Sequence, residues 1–157
     1  MLTKSKRDVS FNRETIKTGL SYNVFDESQV PDFSTYSILI VEDEPSCYQY
    51  LQAALKRTKA ILHWVKDGQS AVDFMQNKEN VDLVLMDIKL PVMTGYRATE
   101  IIKELFPDTP IIAQTAYAMA GDREKCLKVG CNDYLPKPFS TLKLYNAIHD
   151  QLNRILV

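Results

Sequence analysis

From Ser37 onward, short apolar runs alternate five times with stretches whose apolar residues recur at helical spacing. That alternation constrains the fold more than any other feature of the chain. Residues 38–41 and 83–86 are continuous apolar runs, as expected of strands buried on both faces. Residues 61–65, 111–113 and a short piece opening at Tyr134-Leu135 complete five predicted strands. Between them, Cys47, Leu51, Ala54, Leu55 and Thr58 predict one helix, and Ala71, Val72 and Met75 a second, after a turn at Asp67-Gly68. Ala98, Ile101, Ile102 and Leu105 predict a third, closed by Pro107. A fourth covers about 121–129, with Gly130 at its C-cap. Leu142, Tyr145, Ile148, Leu152 and Ile155 mark one face of the last. Five successive βα units imply a parallel sheet covered by helices on both faces, in the doubly wound order 2-1-3-4-5.

Residues 1–36 lack this periodicity and separate by charge, with Lys4, Lys6, Arg7, Arg13 and Lys17 preceding Asp26, Glu27 and Asp32. They read as an extension or linker, and 37–157 as the domain. The 19 basic and 20 acidic side chains nearly balance, so nothing favours nucleic acid or a membrane surface. No apolar run approaches the ~20 residues that cross a bilayer, and the N-terminus has no signal-peptide core. Three cysteines without a C-x-x-C pair argue against a disulfide framework or a zinc site and fit the cytoplasm.

The predicted fold is flavodoxin-like, and such folds place their sites beyond the carboxyl ends of the strands, where strands 1 and 3 meet. Glu42, Asp43 and Glu44 follow strand 1, Asp87 ends strand 3, Thr115 ends strand 4, and Lys137 follows strand 5. Carboxylates crowded at such a crevice repel one another unless a cation is present. Hard oxygen donors suit Mg²⁺, a lysine suits phosphate oxygens, and a carboxylate can attack phosphorus. Taken singly, each residue has an ordinary explanation. Glu44 reads as a solvated loop charge, Thr115 as a helix cap, Lys137 and Lys89 as surface lysines, Tyr134 as a half-buried strand aromatic. His63 and His149 read as packing or surface residues. Their convergence on one sheet edge is what the ordinary explanations leave unaccounted for.

The strings ILIVEDEP, LVLMDIKLPVMTGYRA, IIAQTAYAM and GCNDYLPKPF resemble the signature blocks of response-regulator receiver domains, in the same order over residues 37–157. The resemblance implies that Asp87 accepts the phosphoryl group, while Glu42, Asp43 and the Lys89 carbonyl join it in holding Mg²⁺. It assigns Lys137 to a phosphoryl oxygen, Thr115 to the switch hydroxyl, Ala116 to the small residue beside the phosphate, and Tyr134 to the switch aromatic. It implies a cis Lys137-Pro138 bond, and a Tyr117 that hinders the hydrolytic water. The implied donor is a histidine kinase or phosphotransfer domain. The implied output is the surface of helix 4, strand 5 and helix 5, with a phosphorylation-dependent homodimer as one outcome. Such a domain assists its own phosphorylation and dephosphorylation without being an enzyme in the turnover sense. The stretch from Thr115 to Phe139 is most similar to receivers of hybrid sensor histidine kinases, so the chain reads as a single-domain regulator or as a receiver from a larger protein. A Mg²⁺-dependent phosphatase with an aspartate nucleophile is the alternative. It calls for an aspartate general acid where Lys89 stands. A flavin-binding module would share the strand order, but an acidic strand end opposes a flavin phosphate.

Overall fold

The computed structural model describes residues 24–77, 80–116 and 119–154. Its elements run β1 (Ser37–Val41), α1 (Pro45–Lys56), β2 (Ile61–Val65), α2 (Gly68–Asn77), β3 (Leu83–Asp87), α3 (Gly95–Leu105), β4 (Ile111–Thr115), α4 (Asp122–Lys128), β5 (Asp133–Pro136) and α5 (Thr141–Arg154). All strand pairs are parallel and the sheet order is β2-β1-β3-β4-β5. Every residue of β1, β3 and β4 is buried, whereas edge strand β2 is half-buried and opens with an exposed Ile61. Continuous apolar runs therefore marked the inner strands correctly. Among the described residues, no helix is long and apolar enough to cross a membrane.

Strand alternation divides the core into two sides. Ile38, Ile40, Leu83, Leu85, Ile112 and Leu135 pack against Leu51, Ala54 and Leu55 of α1 and Leu144, Tyr145, Ile148 and Leu152 of α5. On the other side, Leu39, Val41, Val84, Met86, Ile111 and Ala113 meet α2, α3 and α4. Residues before β1 complete the first side. Phe33 is only 3% exposed within it, and Phe25, Val30 and Tyr36 pack against the same cluster.

Three local expectations change. Helix α1 ends at Lys56, before Thr58. Thr58 is buried because its hydroxyl donates to the Leu55 carbonyl and its own carbonyl accepts from Phe33 N–H. Asp67-Gly68 is a helix start and not a free turn. The Asp67 carboxylate accepts from Ser70 N–H and Ser70 Oγ, and a Cβ on Gly68 would stand 2.4 Å from the Met93 carbonyl oxygen. On α5, burial extends beyond the predicted stripe to Leu144, Asn146, Ala147 and Gln151. Asn146 is covered because its Oδ1 accepts from Val24 and Phe25 N–H while its Nδ2 donates to the Leu142 carbonyl. Ile155, placed on that stripe by spacing, lies outside the described residues.

Truncating Phe33 to alanine empties a fully enclosed site on the α1/α5 side. The expected loss is about 3 kcal/mol of unfolding free energy, read by denaturant titration.

Candidate functional site

The parallel sheet delivers the ends of β1, β3, β4 and β5 to one edge, and there the charged residues meet. Lys137 Nζ donates to Glu42 Oε2 at 2.7 Å and to Asp87 Oδ2 at 3.0 Å. The Lys137 side chain is 17% exposed, that of Glu42 0% and that of Asp87 9%. The remaining carboxylate oxygens are also held. Asp87 Oδ1 accepts from Lys89 N–H at 2.8 Å, and Glu42 Oε1 from Glu44 N–H at 3.0 Å. The loop after Asp87 turns tightly because helix α3 begins directly upon it. Gly95 N–H donates to the Ile88 carbonyl, and Thr94 Oγ1 caps the helix by accepting from Arg97 N–H. A Cβ on Gly95 would come within 2.1 Å of the Asp87 carbonyl oxygen, so only glycine permits this approach.

The electrostatics are those of an under-neutralised cluster. Burial raises the Glu42 pKa above its ordinary 4.5 despite the hydrogen bond from Lys137, and the Asp87 charge adds to the rise. For Lys137, burial acts to lower the pKa. The bonds and charges of Glu42 and Asp87 outweigh it and lift the ammonium above its ordinary 10.5. Asp43, exposed, brings a third carboxylate, and one oxygen from each of Glu42, Asp43 and Asp87 lies within 4.8 Å of the others. Three ionised carboxylates against one ammonium leave a formal charge of −2. A divalent cation with an oxygen preference cancels it, so the donor set fits Mg²⁺.

The other predicted residues fall around this cluster. Thr115 is buried at the end of β4, and its carbonyl accepts from Lys137 N–H at 2.7 Å. Ala116 is exposed beside it. Tyr134 lies half-buried on the α3/α4 side of the core, and burial raises its phenol pKa. The Lys137-Pro138 bond is cis. The Lys89 residue is exposed while its N–H serves Asp87. Tyr117 lies outside the described residues. His63 packs on Phe74 and His149 on Phe25, each with ring centroids 5.0 Å apart. Cys47, Cys126 and Cys131 are free thiols, and burial pushes Cys131 up to about 12.

Comparison with known proteins follows the same lines. The family described as "Response regulator receiver domain" matches residues 38–149. "Signal transduction histidine-protein kinase BarA" of Escherichia coli (strain K12) is 37% identical over 127 residues, which take in 80% of this chain and 13% of that protein. "Hybrid signal transduction histidine kinase I" of Dictyostelium discoideum is 36% identical over 123 residues, 73% of this chain and 7% of that protein. The chain thus spans a small fraction of these relatives. Among solved structures, the receiver domain of sensor histidine kinase PA1611 from Pseudomonas aeruginosa PAO1 has 39% identity and a TM-score of 0.70. The match covers 75% of this chain and 98% of that one, whose active-site cleft coordinates a magnesium ion. A receiver domain of a histidine kinase from Syntrophus aciditrophicus gives 28% identity and a TM-score of 0.70, over 76% of this chain and 91% of that one.

Sequence reasoning passed over three residues beside the site. Trp64 donates its indole N–H to the Glu42 carbonyl, and Tyr50 its hydroxyl to the Phe139 carbonyl in the loop after Lys137. Gln114 stands opposite Asp87 in the sheet, wholly buried, with no hydrogen bond to either amide atom among the described residues. The one available signal was a polar residue within the apolar run IIAQT. An unsatisfied buried amide is a cost without a structural return. Gln114→Met is therefore expected to stabilise the fold by about 1 kcal/mol, measured by denaturant midpoint at unchanged slope.

Proposed function

The chain belongs to the response regulator receiver domain family, and we propose that Asp87 accepts a phosphoryl group from the phosphohistidine of a histidine kinase or phosphotransfer domain. The observation that carries this reading is the buried Glu42–Lys137–Asp87 cluster, which holds a carboxylate ready for attack beside a fixed positive charge. Lys89 N–H and Lys137 Nζ grip one oxygen each of Asp87, fixing the plane of the nucleophile. In the transfer, an Asp87 oxygen forms a bond to phosphorus and the bond from phosphorus to the donor imidazole nitrogen breaks. The electron pair returns to that nitrogen. A bound Mg²⁺, held by Glu42, Asp43, Asp87 and the Lys89 carbonyl, would supply charge neutralisation for the phosphoryl oxygens.

Asp87 exchanges its carboxylate for an acyl phosphate carrying about −1.5 to −2 of charge. Lys137 then has a phosphoryl oxygen as its stronger partner. Thr115, joined to Lys137 through its carbonyl, offers its hydroxyl to the same group. Ala116 leaves space there. Tyr134 opposes Ala113 in the sheet, two residues before Thr115, so a shift of β4 reaches β5 and the α4–β5–α5 surface. That surface would change its affinity for a partner or a second copy. Lys89 occupies the place where an aspartate-nucleophile phosphatase needs its acid, and it is a backbone donor to Asp87, so no observation favours that alternative.

Incubation with acetyl phosphate and Mg²⁺ is expected to add one phosphoryl group by intact mass, and chelating the metal or substituting Asp87→Asn is expected to abolish it. Undiminished incorporation in Asp87→Asn would overturn the assignment. Mg²⁺ alone is expected to raise the melting temperature, by mass action equivalent to about 2.7 kcal/mol at about 100 times its Kd. Glu42 holds its proton to a higher pH than an ordinary glutamate, and the metal needs the carboxylate ionised. The gain should be full at neutral pH and fade on acidification, beginning above the ordinary Glu42 value of 4.5.

A further inference from the structure

Trp64 is the chain's one tryptophan, and nothing in the phosphotransfer reading uses it. It lies in β2, the edge strand, yet its side chain turns toward the loop that carries the acidic pair. Its Nε1–H donates to the Glu42 carbonyl at 2.8 Å, and the next residue's carbonyl, of Val65, accepts from Glu42 N–H at 3.1 Å. Two successive residues of β2 thus hold both peptide groups of Glu42. The indole also stacks face to face on Tyr48 of α1, with centroids 3.7 Å apart and planes within 3°. Lys66 Nζ sits 5.0 Å from the ring centroid. Tyr48 N–H in turn donates to the Glu44 carbonyl and closes the first turn of α1. The segment from Glu42 to Tyr48, the loop and the first turn of α1, is therefore fastened to one indole at both ends, by a hydrogen bond at Glu42 and a ring stack at Tyr48. Asp43 stands between those fastenings and is exposed.

We propose that Trp64 is a positioning residue for the metal-binding acidic pair, its indole N–H and its stack on Tyr48 together fixing the loop that presents Glu42 and Asp43. The inference rests on the reading of Glu42, Asp43 and Asp87 as a Mg²⁺ site. Its physical basis is that a hard cation held through few carboxylates gains affinity when those carboxylates need no reorganisation. Outer partners that orient metal ligands commonly matter about tenfold or more to affinity.

The test is calorimetric titration of the full chain with Mg²⁺ at neutral pH. Three forms are compared with wild type: Trp64→Phe, the chain with benzothienylalanine in place of its one tryptophan, and Tyr145→Phe. Benzothienylalanine keeps the fused ring and its stack but carries sulfur where the indole has N–H. Tyr145→Phe is the matched control, because it too removes one side-chain bond to a backbone carbonyl, that of Ala54 at 2.8 Å, in the core beneath α5. The expected result is a Mg²⁺ Kd about tenfold higher in both Trp64 forms, with Tyr145→Phe at the wild-type value. A Kd unchanged in the benzothienyl form, or raised equally in Tyr145→Phe, would show Trp64 to be packing alone and overturn the proposal. Failure of the wild-type chain to bind Mg²⁺ at all would instead remove the site reading, and the inference with it.

Discussion

One ammonium shared by two carboxylates holds the functional end of this protein together. Lys137 comes from the far side of the sheet, since β4 lies between β5 and β3, and it reaches across to Asp87 and Glu42. Buried ion pairs of this kind are poor sources of stability, because desolvating three charged groups consumes most of what their attraction returns. The raised Glu42 pKa is the trace of that imbalance: even with Lys137 in place, its ionised form is uncomfortable. Such a cluster is better understood as a poised charge distribution, one that a divalent cation and, under the proposed function, an incoming phosphoryl group would complete. The strand order makes it possible. Placing β1 beside β3 brings Glu42 and Asp87 together, and the parallel direction puts the residue after β5 at the same edge.

The rest of the fold supports this edge from two sides. Against β3, α3 starts so close that Gly95 has no room for a side chain, and this fixes the loop that carries Lys89 N–H to Asp87. Below the sheet, α1 and α5 share their core with Phe33 and its neighbours, residues that precede the first strand. Asn146 links that segment to α5 by accepting two of its backbone N–H groups. The α5 surface beneath it is consequently not a bare amphipathic face, because part of what periodicity assigns to solvent is covered.

Much of this was legible in the residues and some was not. Apolar runs gave β1, β3 and β4 because a strand covered on both faces has no polar alternation to hide it. The charged cluster was legible because Glu42, Asp43, Asp87 and Lys137 stand at strand ends, where parallel topology leaves little choice of destination. Asn146, Thr58 and Trp64 were not. Each is buried or engaged through a backbone group of a segment distant in sequence, and periodicity within one element carries no information about such partners. Asp67-Gly68 misled for a related reason. Asp before Gly signals a break in either case, and only the neighbouring Ser70 and the close Met93 backbone decide that a helix begins there.

The two halves of the site are built differently, and the difference suits a switch. On the acidic side, Glu42 is fixed at its N–H, its carbonyl and both carboxylate oxygens, by β2, Trp64, Glu44 and Lys137. Three of those four partners belong to β2 or to the loop itself, and none of the three touches Asp87 through these bonds. On the opposite side, Thr115 is tied by its carbonyl to the backbone of Lys137, the residue whose side chain would exchange partners under the proposed phosphoryl transfer. Under the proposed transfer, that exchange would act first on β5 and on β4, joined through the Thr115 carbonyl, while the bonds from β2 to Glu42 would stay in place.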